Sequence, residues 1–347
     1  MSDPTPPVEG RKQARADRLV TGRVLRLDAK VCHVDVDGEV RLCATRGKLF
    51  ENLGTTKNPV TVGDWVDVDP TGDPQSIEAV HPRRNQLSRI ASAHDPREQV
   101  LFANVDEMFV VASVAKPGFS SNRTDRILAA CRHNEIPVTL ILNKIDLDKQ
   151  GAVAELARSY ELAGIPLLLT SATQEKASRD LANEDGLEAL RARLIGRTSA
   201  FYGASGVGKS TLLNALEPGL LLKVGKISKY WTAGKHTTSH SEMHRLALGG
   251  AQENAPGWVI DTPGIRVFRL FGVTQQRLRD LFPEFARFQA RCRFPNCSHD
   301  HEPDCAVYDA LEAGKVAPTR FASYLEMLDE LRGAPEEPSE PSTPEPD

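Results

Sequence analysis

The stretch GASGVGKST, residues 203–211, decides the architecture of this 347-residue chain. It fits the pattern G-x-x-x-x-G-K-[S/T], it follows the apolar segment TSAFY, and the helical segment LLNAL comes next. In a loop of this kind, successive backbone N–H groups point at a phosphate, and glycines adopt the required backbone path most easily. The N-terminus of the following helix adds positive partial charge. The pattern therefore predicts a phosphate-binding loop between a strand and a helix.

The residues predicted to contact a nucleotide in this loop are Gly203, Ala204, Ser205, Gly206, Val207, Gly208, Lys209, Ser210 and Thr211. Lys209 brings a positive charge to the β- and γ-phosphates, which makes it a candidate catalytic residue, and Ser210 is a candidate Mg²⁺ ligand. A chance glycine-rich turn is the alternative, and the flanking strand and helix argue against it.

Strands and helices alternate around this loop. The apolar segments DEMFVVASV, VTLILN, PLLLTSA and TSAFYG are separated by segments with helical character. Strands that are apolar throughout and alternate with helices predict an α/β domain whose parallel sheet is covered on both faces. Such a sheet binds ligands at the C-terminal ends of its strands, and Asn143, Ser171 and Gly203 each fall at such an end.

One of these strand ends carries NKID, the guanine-specificity motif of GTPases, at residues 143–146. Asp146 can accept hydrogen bonds from the N1–H and the exocyclic amine of guanine, and adenine has no such donor pair. An unpaired buried acceptor costs about 1–3 kcal/mol, so this carboxylate would discriminate strongly. Asn143 and Lys144 are predicted to brace the base pocket beside the Ser171–Ala172 turn. The alternative for NKID is a solvated turn after a strand.

Downstream of the phosphate loop, DTPG ends another apolar strand. There Asp261 can hold Mg²⁺ through water, and the N–H of Gly264 can meet a γ-phosphate. In isolation DTPG also fits an ordinary turn. The polar loop KVGKISKYWTAGKHTTSHSEMH lies between the two motifs and offers the hydroxyls of Thr237 and Thr238 to the metal.

The order of these motifs is rearranged. Here NKID and the Ser-Ala turn precede the phosphate loop and DTPG, whereas in an ordinary GTPase they follow. The two orders are related by circular permutation. A parallel sheet tolerates this change because the strand ends build the site whatever their order along the chain.

The N-terminal region, residues 20–80, has short alternating segments such as CHVDV and WVDV, with turns at Asp-Gly and Gly-Asp. About five strands in such a span predict a small closed β-barrel of the OB type. An edge-capping β-subdomain without a ligand is the alternative. The stretch from Arg11 to Lys48 is basic, with ten Lys or Arg against five Asp or Glu, and the candidate RNA contacts are Arg23, Arg26, Arg41, Arg46 and Lys48. Arginines on a solvated barrel face would explain the same pattern.

Near the C-terminus, RCRFPNCSHDHEPDC places four metal-ligand side chains as C-x4-C-x-H-x5-C: Cys292, Cys297, His299 and Cys305. Three thiolates and an imidazole form a closed tetrahedral site typical of structural zinc. His301 is a competing ligand, and buried free cysteines are the alternative. The following segment RFASYLEMLDELR has a helical apolar stripe that indicates core packing.

The composition gives no sign of a membrane protein or a secreted one. No apolar run approaches the ~18 residues of a membrane-spanning helix, and the acidic, proline-rich start is not a signal peptide. Three of the six cysteines are crowded into the zinc motif, which suits a reducing compartment. We therefore expect a cytoplasmic protein with no membrane partner.

Taken together, NKID, GASGVGKST, GKHTT, DTPG and the cysteine-histidine cluster resemble, in this order, the circularly permuted GTPases of the RsgA (YjeQ) type. The resemblance implies an OB barrel, a permuted GTPase core and a zinc-binding helical subdomain. It also implies bound GTP or GDP, Mg²⁺ and one Zn²⁺, and a monomer that acts late in assembly of the small ribosomal subunit. That family binds ribosomal RNA, and the subunit stimulates its GTP hydrolysis.

Ile265 follows DTPG, where many GTPases place a glutamine that orients the attacking water. An isoleucine cannot hydrogen-bond water, so the isolated protein should turn over slowly. The resemblance points to His236 of GKHTT as the catalytic substitute and to Thr238, rather than Thr237, as a Mg²⁺ ligand. A phosphate or RNA contact and a solvated loop position are alternatives for His236.

The predicted organisation is a disordered arm over 1–18, the barrel over 19–82, a linker over 83–100, the permuted GTPase domain over 101–275, the zinc-binding subdomain over 276–332 and a disordered acidic tail over 333–347. Two other functions stay open. The Ile265 substitution would suit an RNA-binding protein that uses guanine nucleotide as a non-hydrolysed ligand. A P-loop kinase or ATPase is the second, and Asp146 argues against it.

Overall fold

A computed structural model describes residues 18–51, 53–92, 94–171, 186–217, 220, 241–248, 256–262 and 268–333. It confirms the predicted fold class: an N-terminal β-barrel, a central α/β sheet and a C-terminal helical region that contains the cysteine-histidine cluster. Within the described residues, no helix has both the length and the apolar content that crossing a membrane requires.

The barrel is formed by β1 (Val20–Leu27), β2 (Cys32–Val36), β3 (Glu39–Thr45), β4 (Trp65–Asp69) and β5 (Gln75–Val80). Its order is β1-β2-β3-β5-β4, and β4 pairs back with β1 to close it. The alternating pattern predicted this arrangement, since inward residues such as Val34, Val66 and Val68 are fully buried. Asp37 and Gly38 both have positive φ, as a two-residue turn between β2 and β3 requires.

Residues 83–100, predicted to be a linker, instead hold most of a β-hairpin of β6 (Gln86–Ser92) and β7 (Asp95–Ala103). Leu87 and Phe102 face each other across it and are fully buried in the main core. Polar side chains also pair across the hairpin, since Gln86 Nε2 donates to Glu98 Oε1 at 2.7 Å. The polar composition of the segment predicts a linker. In the structure, polar side chains of the segment instead form hydrogen bonds with one another across the hairpin.

The central sheet has the order β10-β9-β8-β11-β13-β12. Its strands are β8 (Glu107–Ser113), β9 (Val138–Asn143), β10 (Leu167–Thr170), β11 (Thr198–Tyr202), β12 (Glu242–Leu246) and β13 (Gly257–Asp261). All pairings are parallel except that of β12 with β13. The C-terminal ends of β8 to β11 and β13 therefore meet at one edge, as predicted.

Helices cover the sheet, and one large apolar cluster lies on each face. The helices of this region are α1 (Ser121–His133), α2 (Ala152–Leu162), α3 (Gly186–Leu194) and α4 (Lys209–Leu216). The start of α2 is encoded locally: Asp148 accepts hydrogen bonds from the backbone N–H groups of Ala152 and Val153 in the first turn of this helix.

Strand β1 belongs to both the barrel and the central sheet. Residues 20–23 pair with β4, and Arg26 then pairs with Glu242 of β12. A β-bulge between Val24 and Arg26 redirects the strand at this point. Within the described residues, barrel and core therefore form one continuous 11-stranded sheet.

The C-terminal region contains α5 (Gln275–Asp280), α6 (Ala306–Glu312) and α7 (Pro318–Gly333). The predicted apolar stripe of α7 is in the core: Phe321, Tyr324 and Leu328 are buried. Arg320 is also buried in this helix, and its Nη1 donates to Asp125 Oδ1 of α1 at 2.6 Å. This ion pair attaches the C-terminal region to the central domain.

Candidate nucleotide site and metal cluster

The predicted phosphate loop runs from the end of β11 to the start of α4. Gly208 has φ 105°, and a Cβ atom at this position would lie 2.3 Å from Asn143 Nδ2. A Cβ atom on Gly203 would lie 2.3 Å from the carbonyl oxygen of Val111 in β8. Both positions need glycine because the loop passes against neighbouring strand ends as well as turning sharply.

NKID lies directly against this loop. Asn143 Nδ2 donates to the carbonyl oxygen of Val207 at 2.9 Å, and Lys144 Nζ donates to that of Gly206 at 2.6 Å. Lys144 has φ 61°, a left-handed conformation that turns the chain sharply after β9. Two motifs that are some sixty residues apart in sequence are thus joined by direct hydrogen bonds, as the permuted order predicted.

The carboxylate of Asp146 accepts a hydrogen bond from Ser171 Oγ at 2.6 Å, at the end of the neighbouring strand β10. Thr170 Oγ1 donates to Asn143 Oδ1 at 3.0 Å and so fixes which way the Asn143 amide faces. The sequence placed Thr170 in the segment PLLLTSA without a role of its own, because nothing local shows that its hydroxyl reaches across to β9.

Lys209 and Asp261 interact electrostatically at the phosphate end of the site. Lys209 Nζ donates to the carbonyl oxygen of Gly203 at 2.8 Å, and burial lowers the pKa of Lys209 although Asp261 opposes this. Burial raises the pKa of Asp261, with Lys209 and then His244 acting in the opposite direction. Asp261 Oδ1 is buried and has no hydrogen-bond partner among the described residues. A water molecule on Mg²⁺ would supply the missing donor, so the residues present fit a magnesium ion.

Strand β12 adds two polar side chains that sequence reasoning missed. Glu242 lies directly opposite Asp261, and His244 follows on the same face of the strand. Glu242 also acts on the pKa of Asp261 and raises it. The signal was hidden because the sequence shows only a polar loop ending in SEMH, whereas the register across β12 and β13 decides which side chains meet.

We call the set of residues 143–146, Ser171, residues 203–211 and Asp261 the nucleotide rim. The structure brings these residues together at one edge of the sheet. Several predicted site residues lie outside the described part of the chain: Ala172, His236, Thr237, Thr238, Gly264 and Ile265.

The second site is the metal cluster, formed by the side chains of Cys292, Cys297, His299 and Cys305, whose ligand atoms all lie within 4.8 Å of one another. His299 Nδ1 lies 3.6 Å from Cys292 Sγ and 3.4 Å from Cys305 Sγ. A zinc tetrahedron with bonds of about 2.3 Å to sulfur and 2.0 Å to nitrogen has sulfur–nitrogen edges of about 3.5 Å. The spacing therefore fits zinc, with Nδ1 as the ligand atom.

Burial shifts the pKa values of two residues of this cluster. Burial raises the pKa of the Cys297 thiol to about 12 and lowers the pKa of His299 to about 4. A neutral imidazole is the form that binds metal, and a cation would offset the thiolate desolvation. The competing candidate His301 has a side chain 74 % exposed and points instead to Asp300.

The candidate RNA contacts of the barrel differ in their surroundings. Arg23 is only 8 % exposed, and it donates to Thr198 Oγ1 and to the carbonyl oxygen of Asn104, so its prediction as an RNA contact is wrong. This arginine joins the barrel to the central sheet, a long-range role without a local signal. Arg41, Arg46 and Lys48 carry partly exposed side chains.

Comparisons with known proteins agree with this geometry. The family model described as RsgA GTPase matches residues 80–271. The small ribosomal subunit biogenesis GTPase RsgA of Chlorobaculum tepidum is 38 % identical over 302 residues, which cover 84 % of this chain and 91 % of that protein. The protein of the same name from Alkaliphilus metalliredigens is 36 % identical over 314 residues, or 90 % of this chain and 97 % of that one.

Among solved structures, YjeQ from Thermotoga maritima has a TM-score of 0.64 and 30 % identity, and the match covers 91 % of this chain and 100 % of that one. YloQ, described as a circularly permuted GTPase, has a TM-score of 0.62 and 26 % identity over 92 % of this chain and 97 % of its own. The family model spans the nucleotide rim, and the matches to the relatives extend over most of the rest of the chain. This chain belongs to the RsgA GTPase family.

Proposed function

We propose that the protein binds the small ribosomal subunit late in its maturation and hydrolyses GTP to GDP and phosphate when bound there. The observation that carries the proposal is the direct contact between the guanine motif and the phosphate loop, through Asn143 to Val207 and Lys144 to Gly206. One purine triphosphate can touch both only because the strand ends converge. The names of the relatives, which are small ribosomal subunit biogenesis GTPases, supply the partner.

Different residues of the nucleotide rim would recognise the guanine base and bind the phosphates. Asp146, positioned by Ser171, would accept the hydrogen bonds of the guanine edge. Lys209 would leave the carbonyl oxygen of Gly203 for the β- and γ-phosphates, and its burial makes that charge more effective. Ser210 and Asp261 would hold Mg²⁺, which when bound neutralises charge on the phosphates. We propose His236 as the catalytic residue and Thr238 as a further Mg²⁺ ligand.

Ribosomal RNA would meet the barrel on the face that carries Arg46, Lys48 and Phe50. Arg46 and Lys48 both contact the buried carboxylate of Glu78, and their side chains are 44 % and 56 % exposed. Phe50 is 51 % exposed beside them. An exposed aromatic ring next to two cations suits base stacking combined with phosphate contacts. Replacing Phe50 and Lys48 by alanine should weaken subunit binding and flatten its salt dependence.

The metal cluster would hold one Zn²⁺ that folds the C-terminal region. The predicted bounds of the barrel, the GTPase domain and the zinc-binding subdomain, a monomeric state and a cytoplasmic location, where ribosomal subunits mature, are also parts of the proposal.

The decisive experiment measures GTP hydrolysis with and without purified small subunits. We expect slow turnover alone and at least tenfold stimulation by the subunit, with GTP preferred over ATP in competition. Lys209→Ala should lose nucleotide binding by more than about 100-fold at unchanged circular dichroism, and Lys149→Ala, an exposed lysine, should bind normally. His236→Ala should abolish the stimulation while GTP still binds.

Tight GTP binding without hydrolysis on the subunit would instead support an RNA-binding protein that uses GTP as a ligand. Equal competition by ATP would point to a P-loop kinase or ATPase.

A further inference from the structure

Three residues form a row across three neighbouring strands: Arg26 of β1, Glu242 of β12 and Asp261 of β13. Arg26 is paired with Glu242, and Glu242 with Asp261, in the strand register. Residues directly opposite each other in antiparallel strands lie on the same face, with Cβ atoms about 4.5–5.5 Å apart. The row therefore runs from the barrel to the nucleotide rim.

The row contains an electrostatic conflict. Glu242 and Asp261 are two carboxylates directly opposite each other, an arrangement that is destabilising when nothing offsets it. Lys209 acts on the Asp261 side, and Arg26 Nη1 lies 3.8 Å from Glu242 Oε1 on the barrel side. His244 is a further neighbour of Asp261. The positive charges of Lys209 and Arg26, one on each side, thus offset the repulsion between the two carboxylates.

Arg26 is divided between two partners. Its Nη2 donates to Asp28 Oδ2 at 2.8 Å within the barrel, which is closer than its approach to Glu242. The bulge between Val24 and Arg26 places the guanidinium where it can reach both carboxylates. Any ligand of the barrel that draws Arg26 towards itself would leave Glu242 facing Asp261 without its counter-charge.

We propose that Glu242 is a positioning residue of the magnesium–nucleotide site, and that Arg26 of the barrel is its counter-charge. The inference rests on the proposed binding of Mg²⁺ beside Asp261. Glu242 would act on the hydrated ion through space, as a second negative charge behind Asp261, and Arg26 would weaken that field. Ligand binding by the barrel and the affinity of the nucleotide rim for Mg²⁺ would then be linked through the side chain of Arg26.

Opposite signs follow for two substitutions. Glu242→Gln keeps the shape and removes the charge, so Mg²⁺ should bind the GDP complex roughly three- to tenfold more weakly. Arg26→Ala removes the counter-charge, so Mg²⁺ should bind about two- to fivefold more tightly. The double variant should match Glu242→Gln alone, because Arg26 acts only through Glu242.

The measurement is the Mg²⁺ concentration at half-effect on the dissociation rate of fluorescent GDP from the full-length protein, with dissociation in EDTA as the metal-free reference. Arg41→Ala is the matched control, since it removes a barrel arginine whose partner is the exposed Glu39. Melting curves accompany each variant to separate folding from metal binding.

Opposite shifts for the two single variants support the inference, because a purely structural β1–β12 contact would move both in one direction. An unchanged Mg²⁺ midpoint in Glu242→Gln, or shifts of the same sign, would overturn it while leaving the proposed magnesium site intact. A GDP dissociation rate that does not change with Mg²⁺ concentration, even in the unmodified protein, would overturn both this inference and the proposed magnesium site.

Discussion

The metal cluster takes its ligands from one short stretch, residues 292–305, whereas the nucleotide rim collects residues from four strand ends between positions 143 and 261. The rim is held by the sheet, because β8, β9, β10, β11 and β13 pair side by side and most of their residues are buried. Residues 268–333, all of which the structure describes, contain no strand, and the cluster lies among their short helical turns. One site is thus preformed by long-range packing, and the other depends on what it binds.

Both regions place a non-glycine residue in the left-handed conformation, Lys144 with φ 61° and His299 with φ 58°. Such a residue costs of order 1 kcal/mol and persists only where its surroundings hold it. Around Lys144 the hydrogen bonds to the carbonyl oxygens of Lys116 and Gly206 do so. Around His299 the Glu302 carboxylate accepts from the two flanking backbone N–H groups and two thiols lie near the ring, so a metal would complete the restraint.

Removing the metal should therefore destabilise the protein more than any of the other changes predicted below. Structural zinc contributes about 10–16 kcal/mol in zinc-finger peptides at neutral pH, because it drives their folding. We expect His299→Ala to reduce zinc content from one per chain to none and to speed amide exchange throughout α6 and α7. GDP affinity should change less than about threefold, since the rim shares no ligand with the cluster. Elemental analysis, hydrogen exchange and GDP titration measure the three quantities.

His301→Ala is the matched control, since its side chain is 74 % exposed in the same loop and it should keep both zinc and nucleotide. A tenfold or greater loss of GDP affinity in His299→Ala would show that the rim depends on the cluster.

The second test addresses the joint between the two regions. Burial alone would lower the pKa of Arg320, but Asp125 and Glu284 raise it above its ordinary value. Arg320→Met would leave these two buried carboxylates without a cation, so we expect a loss of about 3–5 kcal/mol. Urea unfolding followed by circular dichroism gives the value, and nucleotide affinity should remain within about twofold.

Arg293→Met is the control in the same region. Its ion pair with Asp304 has side chains 62 % and 69 % exposed, so it should contribute no more than about 0.5 kcal/mol. A loss below about 1 kcal/mol in Arg320→Met would mean that the buried ion pairs of Arg320 do not stabilise the native protein.

The sequence predicted the rim and the cluster because each motif carries its own chemistry. The apolar run of β11 and the glycines of residues 203–208 located the phosphate loop, and the spacing from Cys292 to Cys305 grouped the metal ligands. The parallel sheet followed from alternating strands and helices. From these, the convergence of NKID on the phosphate loop required only the rule that parallel strands end at one edge.

What could not be predicted depends on pairing across long distances. The register that sets Glu242 beside both Arg26 and Asp261 has no local signature. The basic composition around Arg23 indicated a surface role, and no local pattern indicated a role for Arg320. Both arginines are buried, and oxygen atoms distant in sequence accept their hydrogen bonds. Which nitrogen of His299 faces the thiols is likewise fixed only by the folded loop.

Asp146→Asn tests the rim with a smaller effect. The change removes an acceptor that guanine needs and retains the shape, so GTP binding should weaken about 10- to 100-fold, equivalent to about 1–3 kcal/mol. ATP binding should not weaken. Asp148→Asn is the control, because this neighbouring carboxylate accepts from backbone N–H groups of α2 rather than facing the rim. An unchanged preference for GTP over ATP in Asp146→Asn would remove NKID from the base pocket.

Glu302→Gln should have the smallest effect, a modest loss of zinc affinity. This substitution tests how far the protein itself, without metal, sets the shape of the metal cluster. The Glu302 carboxylate accepts hydrogen bonds from the backbone N–H groups of Ser298 and Asp300, on either side of His299. Burial alone would raise the pKa of Glu302, but these backbone hydrogen bonds lower it to about 2. The lowered pKa means that the stabilisation is complete above the unfolded value of about 4.3 and is lost as the pH falls towards 2.

At pH 7 the carboxylate is therefore fully charged and its contribution complete. Zinc competition with a chromogenic chelator at pH 7 measures that contribution before acid protonates the thiolates. We expect zinc to bind Glu302→Gln about three- to tenfold more weakly, because the left-handed backbone at His299 loses its support. Asp304→Asn should bind zinc normally, since its side chain is exposed and asparagine accepts the positive φ at that position. Equal zinc affinity in Glu302→Gln and the unmodified protein would mean that the metal alone shapes the loop, which would make the contrast with the preformed rim complete.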